Sequence, residues 1–117
     1  MERYLYIFRG GDAVSAQQSP ETWQAHMQKW GAWMKGLAEK QILDGGEPLE
    51  VAGKQVNGKN KMVIDGPFME AKETVGGYLI VKASSLDEAT EISKGCPILE
   101  HDGKVEIRQL KKVDMPK

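Results

Sequence analysis

The chain has too little cysteine for a disulfide framework: Cys96 stands alone among 117 residues, so no intrachain bridge can form. It also lacks an excess of either charge. Sixteen basic against seventeen acidic residues leave a net charge of −1, which argues against a phosphate-tracking surface and a polybasic membrane anchor. Nucleic acid and membrane are therefore not expected partners. No apolar run approaches the roughly 18 residues of a membrane span. The run from Tyr4 to Phe8 is too short for a secretory leader and lies between Arg3 and Arg9, so a cytoplasmic setting is the expectation. Metal and cofactor motifs are missing as well. His26 and His101 stand far apart with no Cys or His pair at ligand spacing, and the carboxylates around Asp65 do not form an EF-hand loop. Gly10-Gly11 and Gly45-Gly46 lack the spacing of a phosphate or dinucleotide loop, and no longer period repeats. Neither metal nor cofactor is expected.

What is present is ordered along the chain. Residues 3–9 are aromatic and branched on both alternating faces, as in a central strand covered on both sides. Ser19-Pro20-Glu21 reads as a helix start, in which serine caps, proline takes the first helical position and glutamate meets the positive helix end. Trp23, Met27, Trp30, Met34 and Leu37 then recur at three and four residues, a single apolar stripe expected to pack on the sheet. Gly31 and Gly36 in that helix mean either close packing or tolerance by a long element. Residues 41–46 leave the helix into a short strand or turn. Asn57-Gly58 predicts a type I′ hairpin pairing 51–56 with 59–64. A strand over 77–83 follows, and Ser85 with Glu88 forms a capping box for a second helix whose buried face is Leu86, Ala89 and Ile92. That helix ends near Gly95, and residues 105–110 alternate as the last strand before a charged tail.

The most site-like stretch lies between the hairpin and the strand over 77–83. Pro67 locks its own φ and pushes Gly66 away from the helical region, while Asp65 can bond the backbone two residues on. Glu70, Lys72 and Glu73 crowd beside it, and Gly76-Gly77 lets another backbone or a ligand come close. Two readings stand side by side: Asp65 fixes its own turn or touches a ligand, and the other three form a solvated ion-pair cluster or part of a site.

The string Asp65-Gly66-Pro67-Phe68, continued by Glu70, Lys72-Glu73 and Gly76-Gly77-Tyr78, resembles the signature of the DGPF branch of the YCII-related family. Cys96-Pro97 and Val105-Glu106-Ile107-Arg108 extend the resemblance over nearly the whole chain. It implies one domain over residues 1–117 with an α+β, ferredoxin-like fold of the dimeric α/β-barrel type: an antiparallel sheet with two helices on one face. It also implies pairing into homodimers, in a family most of whose members have no assigned activity. In the wider family a histidine on the first helix and an aspartate just before the second helix's closing proline are thought to form a dyad. Aligned by the end of the first helix and by Cys96-Pro97, those positions hold Trp30 and Cys96, so the dyad is absent on this alignment.

The residues themselves also allow a ferredoxin-like order, and they leave an apolar set on either face of the first strand, Tyr4, Tyr6 and Phe8 on one and Leu5 and Ile7 on the other. A sheet covered on one side needs a partner for the other, and a second copy is the simplest cover. His26, one turn before Trp30 at the edge of the stripe, is the candidate proton carrier; a half-buried surface histidine is the bland alternative. His101 reads as plain loop, and Cys96 as a small buried hydrophobe. The fixed fork of Arg108 suits a strand neighbour or a carboxylate ligand. A small-molecule site is expected between the 65–73 loop and the first helix, near His26 and Trp30. The preferred functional reading is a dimeric small-molecule-binding or regulatory module, because no nucleophile, metal set or cofactor motif replaces the missing dyad. The alternative is a cofactor-free enzyme of lyase or hydrolase type, with His26 moving protons on a small aromatic or hydroxylated substrate held by Trp30 and Arg108.

Overall fold

The computed structural model describes residues 1–10, 19–50, 52–66 and 74–113. The chain runs β1 (Glu2–Arg9), α1 (Pro20–Glu39), β2 (Leu43–Pro48), β3 (Gly53–Asn57), β4 (Met62–Gly66), β5 (Val75–Ala83), α2 (Leu86–Ser93), a 3-10 turn (Pro97–His101) and β6 (Lys104–Gln109). Four strands form one antiparallel sheet in the order β2-β5-β1-β6, the order of a ferredoxin-like α+β fold. The run 41–46, expected as a short strand or turn, supplies the edge strand β2, and the hairpin β3–β4 stands apart as a separate two-stranded ribbon.

Aromatic residues explain why β1 lies in the middle. Tyr4, Tyr6 and Phe8 are buried on one face, in register with Val81, Leu79 and Gly77 of β5 and with Gln109, Ile107 and Val105 of β6. Both helices lie on this face: Trp33 of α1 stacks on Tyr6, and the Tyr6 hydroxyl donates to the Ala89 carbonyl of α2. The opposite face carries Leu5, Ile7, Tyr78 and Ile80, half-buried in the single chain, with Arg3, Arg9, Lys82, Glu106 and Arg108 around them.

The caps follow the sequence with one change of partner. Ser19 Oγ accepts from Thr22 N–H at 3.2 Å with Pro20 at the head of α1. Ser85 Oγ accepts from Glu88 N–H at 3.1 Å, but the Glu88 carboxylate reaches one residue further back than a capping box requires, accepting from Ser84 N–H at 3.0 Å and Ser84 Oγ–H at 2.9 Å. Those two bonds hold the Glu88 carboxyl below its usual range. Leu86, expected in the buried face, is 52% exposed at the first position of the helix; Ser93, in its last turn, is buried and donates its hydroxyl to Thr90 O at 2.6 Å. A Cβ placed at Gly31 or Gly36 would meet nothing, so these glycines are tolerated by a long helix and do not mark close packing.

The hairpin is four residues out of the expected register. Asn57 pairs with Met62, so residues 58–61 make the turn, with Gly58 and Lys61 at positive φ of 65° and 54°. A two-residue turn would have set Lys54 opposite Lys61. The observed register sets Lys54 against Asp65, 2.8 Å apart, and Val56 against Val63. Opposite charges and an apolar pair across the strands outweigh the local preference of Asn-Gly. Val51, at the start of the expected first arm, lies outside the described residues. No helix among the described residues is long and apolar enough to cross a membrane.

Candidate functional site

The apolar stripe of α1 extends beyond the part of the sheet that can cover it. Leu37 is buried and Trp30 and Met34 pack against the core, but Trp23 and Met27 are 38% and 46% exposed. The expected packing on the sheet holds for the C-terminal half of the helix alone. Beneath the N-terminal half the sheet presents glycines: Gly77 lies in register between Phe8 and Pro48, and Gly46 lies beside Leu79. Gly46 has φ 142°, and a Cβ there would run into the Tyr78 carbonyl and the Leu79 side chain. At Gly77 a Cβ would come within 3.0 Å of Glu47 O, so the backbone of β2 approaches β5 as closely as the glycine pair had suggested.

Large side chains above and glycines below leave a cavity of about 280 Å³. Trp23, Met27, Trp30 and Met34 form its roof; Phe8, Gly77 and Leu79 form its floor. Its rim follows the β2–β5 edge through Gly46, Glu47, Pro48, Gly76 and Tyr78. Register sets Glu47 and Tyr78 opposite each other, on the face away from α1, so what surrounds the interior is aromatic and thioether surface.

Trp30 links this cavity to a polar group behind it. Its indole N–H donates to Nε2 of the buried His26 at 2.9 Å, and Nδ1 of His26 lies 3.1 Å from Nε2 of His101. An indole nitrogen can only donate, so His26 Nε2 accepts and the proton of the neutral ring sits on Nδ1. That proton is donated in turn to His101 Nε2, and His101 carries its own proton on Nδ1. A second tie runs parallel: Lys29 Nζ lies 3.1 Å from Glu100 Oε1, joining α1 to the 3-10 turn one helical turn along from His26.

Of the residues singled out from the sequence, His26 and Trp30 come together here. His26 is not among the cavity-lining residues, and both of its ring nitrogens face protein partners, so as arranged it supports Trp30 and does not present itself to a ligand. Asp65 projects from β4 with its side chain 79% exposed, paired with Lys54. Arg108 lies on the face of the sheet opposite Trp30, 3.4 Å from Glu106 of its own strand, whose other oxygen is 3.2 Å from Arg9 Nε. Glu70, Lys72 and Glu73, with Pro67 and Phe68, lie outside the described residues.

Sequence reasoning missed His101, which is no plain loop residue: the 3-10 turn after Cys96-Pro97 carries it back to α1. No local signal marks it, since the contact spans 75 positions. The roof residues Met27 and Trp23 were legible as a stripe, but their exposure was not. Cys96 is buried, as expected, beside Tyr6. Among the described residues no group of three His, Cys, Asp or Glu side chains is placed to hold a metal ion.

A ferredoxin-like α+β domain with an aromatic cavity between its first helix and its sheet is the class of protein that this geometry defines. The YCII-related domain model matches residues 4–114, and the chain belongs to that family. No curated protein matches the chain. Among solved structures it is similar to the 5-chloro-2-hydroxyhydroquinone dehydrochlorinase of Burkholderia phenoliruptrix AC1100 in complex with 2,5-dihydroxybenzoquinone, at 17% identity over 93% of each chain with a TM-score of 0.48.

Proposed function

We propose that this YCII-related protein is a small-molecule-binding module of the DGPF branch, paired into homodimers in the cytoplasm, whose ligand is a compact aromatic molecule held between α1 and the β2–β5 edge. The observation that carries the reading is the cavity itself: about 280 Å³, roofed by two tryptophans and two methionines and floored by glycine. That volume lies at the small end of ligand pockets, which suits a molecule of one or two rings. Aromatic edges and polarizable sulfur favour flat, π-rich ligands over branched aliphatic ones. The apolar centre of the face opposite the helices supports dimerisation, and the single cysteine, which rules out an intrachain disulfide, supports a reducing compartment.

A second reading, a cofactor-free enzyme acting on a small aromatic or hydroxylated substrate, is favoured by the two imidazoles hydrogen-bonded directly behind the cavity wall. One experiment separates the two. A thermal-shift screen of small aromatic metabolites on the wild-type protein is repeated on Met27→Trp, which fills the cavity from an exposed helix position, and every stabilising compound is followed for chemical change. The module reading expects stabilisation of about 2.7 kcal/mol at a hundredfold excess over Kd, lost in Met27→Trp, with the compound recovered intact. Stabilisation that survives Met27→Trp places the ligand elsewhere. Turnover abolished by His26→Ala with binding retained would make the protein an enzyme.

A further inference from the structure

We propose that His26 and His101 form a hydrogen-bond relay that sets the Trp30 ring in the cavity wall, so that ligand binding in the cavity requires both imidazoles to be neutral. The proposal rests on the binding reading above and adds the control of that site. The two histidines are positioning residues: neither lines the cavity, and they act through Trp30, which does.

Donors and acceptors alternate along this chain of rings. The Trp30 indole N–H must find an acceptor at His26 Nε2, 2.9 Å away, and His26 Nδ1 must then donate to His101 Nε2, 3.1 Å away. Each ring in this chain has one donor and one acceptor, the inventory of a neutral imidazole. A second proton on His26 turns Nε2 into a donor aimed at the indole N–H. A second proton on His101 turns its Nε2 into a donor aimed at His26 Nδ1–H. Either event sets two N–H groups face to face and opens one link, and His26 is buried, so water does not readily replace the lost partner.

Trp30 then keeps its packing on the core and its ring contacts, edge-on to Phe8 with centroids 5.1 Å apart and edge-on to Trp33 at 5.8 Å, but loses its hydrogen-bonded anchor. Phe8 is itself the cavity floor, so a change in the Trp30 rotamer alters roof and floor spacing together. The 3-10 turn is the second element affected, since His101 ties it to α1.

Among the described residues, charged groups on the two elements that carry the pair are in part matched to each other. From α1, Lys29 pairs with Glu100 of the 3-10 turn; Asp102 follows His101 and is exposed. From the sheet, strand alternation places Arg9 of β1 and its register partner Lys104 of β6 on the face away from α1, with Glu106. Within this geometry, protonation of either imidazole decides whether the chain Trp30, His26, His101 is made.

Two measurements on the same samples test the inference. The first follows the Trp30 indole N–H resonance by 1H–15N spectroscopy without ligand, from about pH 8 to about pH 5, the range in which histidine changes charge. The second measures Kd for 2-naphthol, an uncharged bicyclic probe, by calorimetry over the same range. Wild type should show the indole resonance moving with pH and Kd weakening by about tenfold, the equivalent of one lost hydrogen bond of ~1.4 kcal/mol. Glutamine can accept from Trp30 through Oε1 and donate onward through Nε2, and it does not titrate. The double variant His26→Gln, His101→Gln should therefore bind within about threefold of wild type at pH 8 and keep that Kd at pH 5. His26→Leu, which removes the acceptor but keeps bulk, should bind weakly at both.

A wild-type Kd that stays level while 2-naphthol binds overturns the relay and leaves the cavity reading standing. A double variant that retains the wild-type slope overturns it too. An indole resonance that moves with pH in a protein that binds no 2-naphthol at any pH overturns the cavity reading, and with it the coupling.

Discussion

Tyr6 is where the two helices meet the sheet. It is fully buried, Trp33 of α1 stacks on its ring, and its hydroxyl donates to the Ala89 carbonyl of α2. Burial, with a smaller contribution from the Cys96 thiol, pushes the Tyr6 phenol well above its usual range. The sign follows from linkage. Below about pH 10 the phenol is protonated in both states and contributes no pH dependence. Above it the unfolded chain gives up the proton while the folded chain holds it, so stability falls as pH rises. Tyr6→Phe should cost about 1 kcal/mol near neutrality, for the hydrogen bond lost at Ala89. It should also flatten the alkaline fall, and urea unfolding at about pH 8 and about pH 10.5 checks both. From the sequence Tyr6 was legible as one of three apolar residues on one strand face. Which face the helices would choose was not, since Leu5 and Ile7 made the other equally apolar; the choice follows from the size of the rings and from a hydroxyl that needed a buried acceptor.

At the scale of elements, local chemistry was read well where the partner lies within a turn of helix. Ser19 and Ser85 cap the helices they were expected to cap. Ser85→Ala should destabilise the protein by about 1 kcal/mol, with Ser85→Thr recovering most of that in urea titrations followed by circular dichroism. If alanine costs nothing, the Glu88 bonds to Ser84 alone hold the start of α2. Local chemistry failed where a partner lay across a strand. Asn57-Gly58 had the composition of a two-residue turn, yet Lys54 would then have faced Lys61, and the pairing of Lys54 with Asp65 and Val56 with Val63 moved the turn to residues 58–61. The stripe on α1 failed differently. Its period was right, but a period does not say how far the sheet extends beneath it, and the uncovered half became the roof of the cavity.

For the whole molecule, the face opposite the helices carries the argument. Leu5, Ile7, Tyr78 and Ile80 occupy its centre in register, with arginines, Lys82 and Glu106 at the margin, an apolar patch rimmed by charge. The proposed homodimer covers it. The protein should sediment as a dimer at micromolar concentration, and Ile80→Lys, which buries a charge at the centre of that patch, should give a folded monomer with an unchanged circular dichroism spectrum. A strict wild-type monomer would remove the argument from the uncovered face.

The sequence by itself determined the two helices with their caps, the central strand and the absence of an intrachain disulfide, because these depend on residue type and on spacings within one element; the class of fold was expected from the order of the elements and the resemblance to the YCII-related family together. The sequence also marked His26 and Trp30 as neighbours, since they lie one helical turn apart. Only the tertiary structure decided that His26 is turned away from the cavity, that Arg108 lies on the far side of the sheet, and that His101 completes the group behind Trp30. Each of these depends on which face of the sheet a side chain reaches, or on a contact between segments far apart in the chain, and neither is written in any local pattern. The cavity itself is a matter of three dimensions: tryptophans and methionines on one helix and glycines on two strands are unremarkable separately, and make a site where the fold sets large side chains over missing ones.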